Sequence, residues 1–124
     1  MLDHMGFAVS DYARSKAFYE KALAPLGFVL VKEPMGEAAG FGQGGKPSFW
    51  IEARGRPVHG RLHVAFEAKS RNLVDAFHAA AIAAGGIDNG APGEREIYHP
   101  NYYGAYVLDP DGNNIEAVCH EPPN

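Results

Sequence analysis

Residues 106–120, YVLDPDGNNIEAVCH, read as a strand, a tight turn and a second strand. Residues 109–113 form the turn, because proline presets one backbone dihedral while glycine and asparagine tolerate a positive φ. The second strand places Glu116 between Ile115 and Ala117. A carboxylate there is costly if the strand is buried on both faces, and ordinary if one face meets water or a cation. The rest of the chain decides between these two situations.

A strand followed by a helix begins the chain. LDHMGFAVS (2–10) alternates like a half-buried strand, and DYARSKAFYEKALAPLG (11–27) is typical of a helix with Ser10 as its N-cap and Gly27 as its end. Three further strands are predicted after this helix: FVLVKE (28–33), EAAGFG (37–42) and SFWIEA (48–53). Turn signals at residues 34–36 and 42–47 separate these strands from one another.

The same pattern then restarts. RLHVAFEA (61–68) predicts a strand, and SRNLVDAFHAAAIAAGG (70–86) predicts a helix capped by Ser70 and ended by Gly85 and Gly86. A glycine- and proline-rich loop leads from this helix to the strand YYGAYVLD (102–109) and the final strand. The chain therefore looks like a duplicated unit.

Two offsets relate the halves. A shift of 59 positions aligns His4 with His63, and a shift of 64 aligns Ile51-Glu52-Ala53 with Ile115-Glu116-Ala117. The repeats span residues 1–58 and 59–124, and the second carries about five extra residues in its middle. Each half begins with a histidine and ends with a glutamate.

Composition limits the partners. A chain of 124 residues, 46% of them hydrophobic, fits one domain with a sizeable core. Its net charge of -4 and scattered basic residues argue against nucleic acid as a partner. The single Cys119 excludes an internal disulfide and suits a reducing compartment. Without a membrane-spanning run or a signal peptide, we expect a cytoplasmic protein.

Strand parity groups the polar residues. Side chains alternate between the two faces of a strand, so the apolar members of each strand mark the face that packs on the helices. The opposite face then receives His4 in the first strand, Trp50 and Glu52 in the fourth, His63 in the fifth and Glu116 in the last. Two imidazoles and two carboxylates on a curved face suit a divalent cation with open positions for substrate: Fe(II), Ni, Co, Mn or Zn. The alternative is four separate polar residues on a wet sheet face.

Other residues are candidates for the substrate pocket rather than for metal binding. His99 lies in the aromatic segment IYHPNYYGAY (97–106), which enters a strand, and Tyr103 belongs to the same segment. We expect Trp50, His99 and Tyr103 to line a pocket. His59, His78 and His120 are interpreted as solvated or packing residues, and the turn at 109–113 lacks the ligand spacing of a calcium loop.

The first strand and helix with AFYEKAL (17–23), together with the terminal DPDGNNIE (109–116), resemble the vicinal oxygen chelate superfamily, also called the glyoxalase/bleomycin resistance protein/dioxygenase superfamily. The resemblance covers essentially the whole chain. It implies an α+β fold of two βαβββ modules that form an open mixed-sheet barrel within one glyoxalase-like domain, commonly in a homodimer. Glyoxalase I members carry metal ligands at the positions of His4, Glu52, His63 and Glu116.

The resemblance implies a metal-dependent lyase or isomerase that chelates two oxygens of a small substrate. Glu116, more than Glu52, would then move the proton. Ala8 stands where bacterial glyoxalase I tends to carry an arginine that holds the glutathione carboxylate. Arg54 and Arg56, which lie near Glu52 in the sequence, are the candidates to substitute for it. Two alternatives stay open: an extradiol-type dioxygenase using His4, His63 and Glu116, and a non-catalytic drug-binding protein using Trp50, Tyr98, Tyr102 and Tyr103.

Overall fold

The computed structural model describes residues 1–123. Strands and helices follow one another in the order strand, helix and three strands, twice over. Their bounds are β1 Met5–Ala8, α1 Tyr12–Leu23, β2 Val29–Lys32, β3 Ala38–Gln43, β4 Lys46–Glu52, β5 His63–Glu67, α2 Arg71–Ala83, β6 Ile87–Glu94, β7 Tyr103–Leu108 and β8 Asn114–Cys119.

The strands form two mixed sheets of four strands each. The first sheet has the order β1-β4-β3-β2 and the second has the order β5-β8-β7-β6. In each sheet the outer pair, β1 with β4 or β5 with β8, is parallel, and the other pairs are antiparallel. The predicted α+β fold of two βαβββ units is confirmed, with the two sheets separate rather than closed into a barrel.

The helix caps agree with the sequence in one case and differ in the other. Ser70 caps α2 by accepting a hydrogen bond from the Leu73 amide at 3.3 Å, as predicted. The prediction of Ser10 as the cap of α1 was wrong, because Asp11 accepts the bond from the Arg14 amide at 3.1 Å. Ser10 instead donates two hydrogen bonds, from its backbone amide and its hydroxyl, to the carboxylate of Asp111. This contact ties the end of β1 to the turn of the terminal hairpin.

Strand β6 was not predicted from the residue pattern. Its sequence, IDNGAPGE, contains glycine and proline and favours a loop, yet it pairs with β7 from Ile87 to Glu94. The pairing register shifts on both sides of Gly90, which has a φ of 156°. An edge strand tolerates such irregularity and a proline, because one side of its backbone has no strand partner. The expectation of a loop over residues 87–94 was therefore wrong.

One core joins the inner faces of both sheets with the two helices. Phe49 of β4 and Phe66 of β5 have ring centroids 5.2 Å apart, and Phe28 lies 5.4 Å from Phe66. Alternate residues of β5 are buried and exposed in turn, and Ile115, Ala117 and Cys119 of β8 belong to the core. The predicted parity is confirmed for β4, β5 and the core-facing residues of β8, so the opposite face of each sheet points away from the shared core. The prediction that His4 belongs to the first strand was wrong, because β1 begins at Met5.

The terminal hairpin is fixed by its buried turn. Asp109 is 3% exposed and accepts bonds from the amides of Asp111 and Asn113 at 2.9 and 2.8 Å. The Tyr19 hydroxyl of α1 also donates to Asp109, and burial raises the pKa of Tyr19 well above its usual value. Because α1 thereby holds the turn, the orientation of β8 and of Glu116 is set by the core.

Neither helix in the described chain has the length and apolarity needed to cross a membrane.

Candidate functional site

Small residues open a cleft on the outer face of the first sheet. Trp50 of β4 lies between Gly6 of β1 and Gly40 of β3 in the strand register. Two residues further along β4, Glu52 points to the same face and lies between Ala8 of β1 and Ala38 of β3. Side chains of this size leave the space above Trp50 and Glu52 open.

The cleft has a volume of about 700 Å³. This is within the range of small-molecule sites, roughly 300 to 1,000 Å³. Trp50 and Glu52 form its floor, and basic side chains stand around them. Its polar and charged lining consists of His4, Glu52, Arg54, Arg56 and His59. The cleft therefore combines an aromatic surface, one carboxylate, two guanidinium groups and two imidazoles.

Glu52 has an unsatisfied oxygen. Its Oε1 is buried and makes no hydrogen bond within residues 1–123. The Nε of Arg56 lies 3.4 Å away, but it is not aligned for a hydrogen bond, and the Arg56 side chain is 79% exposed. An ion pair with so exposed an arginine contributes little to stability, so the Glu52 oxygen lacks an effective partner. A buried, unpaired carboxylate oxygen is costly, and a cation or a donor from a ligand would relieve the cost.

His4 lines the same cleft but does not contact Glu52. Its Nδ1 lies 2.8 Å from Asp3 Oδ1, and its side chain is 62% exposed. The partner of Glu52 across the parallel pair is Ala8, four residues after His4. At about 3.3 Å per residue, this register separates His4 and Glu52 by roughly 13 Å along the strands.

His63 and Glu116 meet directly on the second sheet. His63 Nε2 lies 2.9 Å from Glu116 Oε1, and Glu116 is 1% exposed. Here the parallel partner of the glutamate is Ala65, only two residues after the histidine. The two halves thus differ in register, which explains why only the second pair is in contact.

Tyr102 completes this second pair. Its hydroxyl donates to Glu116 Oε2, so both oxygens of the buried carboxylate are within reach of protein partners. Burial, together with the bonds to Glu116 and Tyr106, raises the pKa of Tyr102. Tyr106 stands opposite Glu116 in the register and 6.3 Å from the His63 ring. The outer face of the second sheet is therefore a cluster of two tyrosines, one histidine and one glutamate.

We expect Tyr102→Phe to lower the free energy of unfolding by about 1–3 kcal/mol, because it leaves one buried oxygen of Glu116 without a donor. Urea unfolding followed by circular dichroism measures the change. Tyr98→Phe is the matched control, since Tyr98 is 61% exposed, and it should stay within about 0.5 kcal/mol of the parent. Equal stability of the parent and Tyr102→Phe would contradict the assigned hydrogen bond.

The other expected pocket residues lie elsewhere. Tyr103 faces α2, where its hydroxyl donates to Asp75 at 2.6 Å and Arg71 stacks at 4.9 Å from its ring. His99 lies in the loop before β7, with its ring 5.1 Å from Tyr102 and its Nε2 3.1 Å from Nδ1 of His120. Thus Trp50 lines the first cleft, His99 borders the tyrosine cluster, and Tyr103 packs on a helix. The sequence did carry a signal for Tyr102. Ala105 and Val107 of β7 are core residues, so the alternation of side chains puts Tyr103 on the core face and Tyr102 on the outer face.

The two histidine–glutamate pairs do not converge within one chain. In the part of the chain that the structure describes, no three His, Cys, Asp or Glu side chains are grouped closely enough to hold a metal ion. His4 and Glu52 belong to one outer face, and His63 and Glu116 belong to the other. Each face carries half of the predicted ligand set.

The fold agrees with the comparison against protein families. The chain matches the Glyoxalase/Bleomycin resistance protein/Dioxygenase superfamily over residues 1–117, and it belongs to that superfamily. Among curated proteins, none gives a significant match.

Solved structures with the same fold cover nearly the whole chain. A glyoxalase/bleomycin resistance protein from Albidiferax ferrireducens T118 is 33% identical, with a TM-score of 0.81 over 94% of this chain and 97% of that one. A glyoxalase/bleomycin resistance protein/dioxygenase family enzyme from Burkholderia phytofirmans PsJN is 22% identical, with a TM-score of 0.72 over 97% and 98%. Lactoylglutathione lyase from Agrobacterium tumefaciens is 19% identical, with a TM-score of 0.69 over 96% and 92%. At the identities of the last two, the likeness concerns the fold.

Proposed function

We propose that the protein is a homodimeric, metal-dependent lyase or isomerase acting on a small oxygenated substrate. The observation that carries this proposal is the buried Oε1 of Glu52, which has no hydrogen-bond partner in a cleft that His4 also lines. A carboxylate kept in this condition suits a cation or a substrate donor. Superfamily membership is consistent with an enzyme of this kind.

The donor set fits a divalent ion as two half-sites. Imidazole nitrogen and carboxylate oxygen suit Zn, Ni, Co, Mn and Fe(II) without selecting one of them. His63 and Glu116, whose side chains are in contact, would supply one half. Glu52 would supply the other, and His4, roughly 13 Å from it along the strands, would join it only after the segment before β1 moves toward Glu52. Two ligands from one face leave a site incomplete, so the second half has to come from another face.

A second copy of the chain is the source we propose for that face. The inner faces of both sheets are buried in one core, while both half-sites lie on the outer faces. In a two-fold dimer, the first module of one protomer would cover the second module of its partner, and the two sites would be equivalent. This arrangement would also cover the open cleft.

The proposed chemistry is proton transfer beside a carbonyl group. A divalent ion at the four ligands would polarise the substrate oxygens. Glu116 is proposed to take the proton from the substrate carbon and return it to the neighbouring carbon, while His63 and Tyr102 fix the direction of its two oxygens. Tyr106 and Trp50 would bound the substrate from the two faces.

Binding without chemistry is the second candidate. Glu116 already has protein partners at both oxygens, which reduces its need for a metal. Tyr98, Tyr102 and the stacked pair His99–His120 form an aromatic surface beside it, with ring centroids 4.9 Å apart within each pair. Such a surface suits a flat drug-like molecule.

Turnover that depends on a divalent ion separates the two candidates. Protein loaded in turn with Ni, Co, Mn, Fe(II) and Zn is offered hemithioacetals and then catechols. We expect activity that chelator removes and one of these ions restores, in a species that sediments as a dimer. Turnover unaffected by chelator would overturn the metal-dependent proposal, and tight binding of an unchanged ligand would favour the binding protein.

A further inference from the structure

We propose that the cleft on the first sheet binds an aromatic hydroxycarboxylate. The inference rests on the proposed function only in treating this cleft as a substrate site, and it names the class of substrate. Three features of the cleft each match one part of such a ligand: a flat apolar floor, a basic rim and an unsatisfied acceptor.

The floor is the indole of Trp50. A Cβ atom on Gly40 would lie 2.8 Å from Cζ2 and Cη2 of this ring, and a Cβ on Gly6 would lie 2.8 Å from its Cβ. The indole therefore lies down across β3, in space that exists because position 40 has no side chain. A ring held in this way offers a flat surface on which an aromatic ligand can stack.

The rim is basic and not fully paired. Arg54 has one loose ion partner, Glu37, at 3.8 Å, and Arg56 lies 3.4 Å from Glu52 without hydrogen-bond alignment. Neither guanidinium makes a hydrogen bond within residues 1–123. Each guanidinium has five donors in a planar fork that matches a carboxylate. The lining residues include two arginines and one glutamate, so the rim has guanidinium donors left for a ligand carboxylate.

The acceptor is Oε1 of Glu52, a buried atom of a residue that lines the same cleft. A ligand hydroxyl donating to this oxygen would satisfy it, whereas a second carboxylate there would be repelled. The ligand class follows from three contacts: a ligand ring stacks on Trp50, a ligand hydroxyl donates to Glu52, and a ligand carboxylate binds the two arginines. The volume of about 700 Å³ is ample for a molecule of this size.

Trp50 is the only tryptophan of the chain, so the tryptophan fluorescence of the protein reports directly on the cleft. The purified full chain is titrated in chelator with mandelate, with the neutral mandelamide and with phenylacetate, which lacks the hydroxyl. We expect saturable quenching by mandelate and a dissociation constant at least about tenfold weaker for mandelamide, because a charge-assisted bond is lost. Phenylacetate should be weaker than mandelate because Glu52 stays unsatisfied.

Variants assign the effect to named residues. Arg54→Gln/Arg56→Gln should weaken mandelate about tenfold or more and leave mandelamide unchanged. Arg14→Gln, an exposed change on α1, is the matched control and should bind like the parent. Gly40→Ala should displace the indole and weaken all three ligands, with circular dichroism reporting on the fold.

Three results would overturn the inference: no saturable quenching by mandelate, equal affinity for mandelate and mandelamide, or parental affinity in the double arginine variant. These failures are distinct from failure of the proposed function. Mandelate binding in a protein that takes up no metal would overturn the metal-dependent enzyme and leave this inference standing. Metal uptake without mandelate binding would do the reverse.

Discussion

Glu116→Gln is expected to reduce metal uptake from about one ion per site to a small fraction of that value. Glutamine keeps the shape of the side chain and can still form hydrogen bonds, but it removes the anionic ligand. Because Glu116 is 1% exposed and lies against His63, the change acts on the proposed half-site directly. Elemental analysis after reloading and desalting measures it.

The matched control for this variant is Glu67→Gln. Glu67 lies on the same outer face of β5 as His63 and is exposed, but it has no place in the proposed ligand set. Its metal content should equal that of the parent. His63→Ala should lose metal like Glu116→Gln while keeping the parental circular dichroism spectrum. Equal metal content in Glu116→Gln and the parent would remove Glu116 from the site.

Phe66→Ala is expected to cost about 3–5 kcal/mol of unfolding free energy, as a truncation of a buried aromatic residue. Phe66 is 7% exposed and joins the two modules, with Phe28 and Phe49 at ring distances of 5.4 and 5.2 Å. The cavity would open where the inner faces of the two sheets meet. Urea unfolding followed by circular dichroism measures the loss.

Glu67→Ala, the neighbouring position on the opposite face of β5, should change stability by no more than about 0.5 kcal/mol. The contrast between the two variants tests which face of the strand is buried. If Phe66→Ala were as stable as the parent, the shared core of the two modules would be misassigned.

Strand parity could be predicted because burial alternates wherever one face of a sheet packs on a helix. This placed His63 and Glu116 together on an outer face, where the structure has them 2.9 Å apart. Strand β6 could not be predicted in the same way, because its glycines and proline lack the alternation, and pairing with β7 overrides their local preference.

The convergence of the four proposed ligands lies beyond what the sequence can show. The alignment of the two halves matches the residues but hides the register difference of the parallel pairs, in which Ala8 faces Glu52 while Ala65 faces Glu116. It also says nothing about which faces meet. The core packing of Phe49 on Phe66 directs both outer faces away from each other, so assembly decides whether a four-ligand site forms.

We propose that each metal site is shared between two chains, and refolding two ligand-deficient variants together tests this arrangement. Glu52→Gln lacks a ligand in the first module, and Glu116→Gln lacks one in the second. If the variants are unfolded together and refolded as an equal mixture, half of the dimers carry both, and one of their two sites is intact. By the two-fold symmetry of such a dimer, the mixture should regain about a quarter of the parental metal content, whereas each variant alone regains almost none. A mixture with no more metal than the separate variants would contradict the shared site.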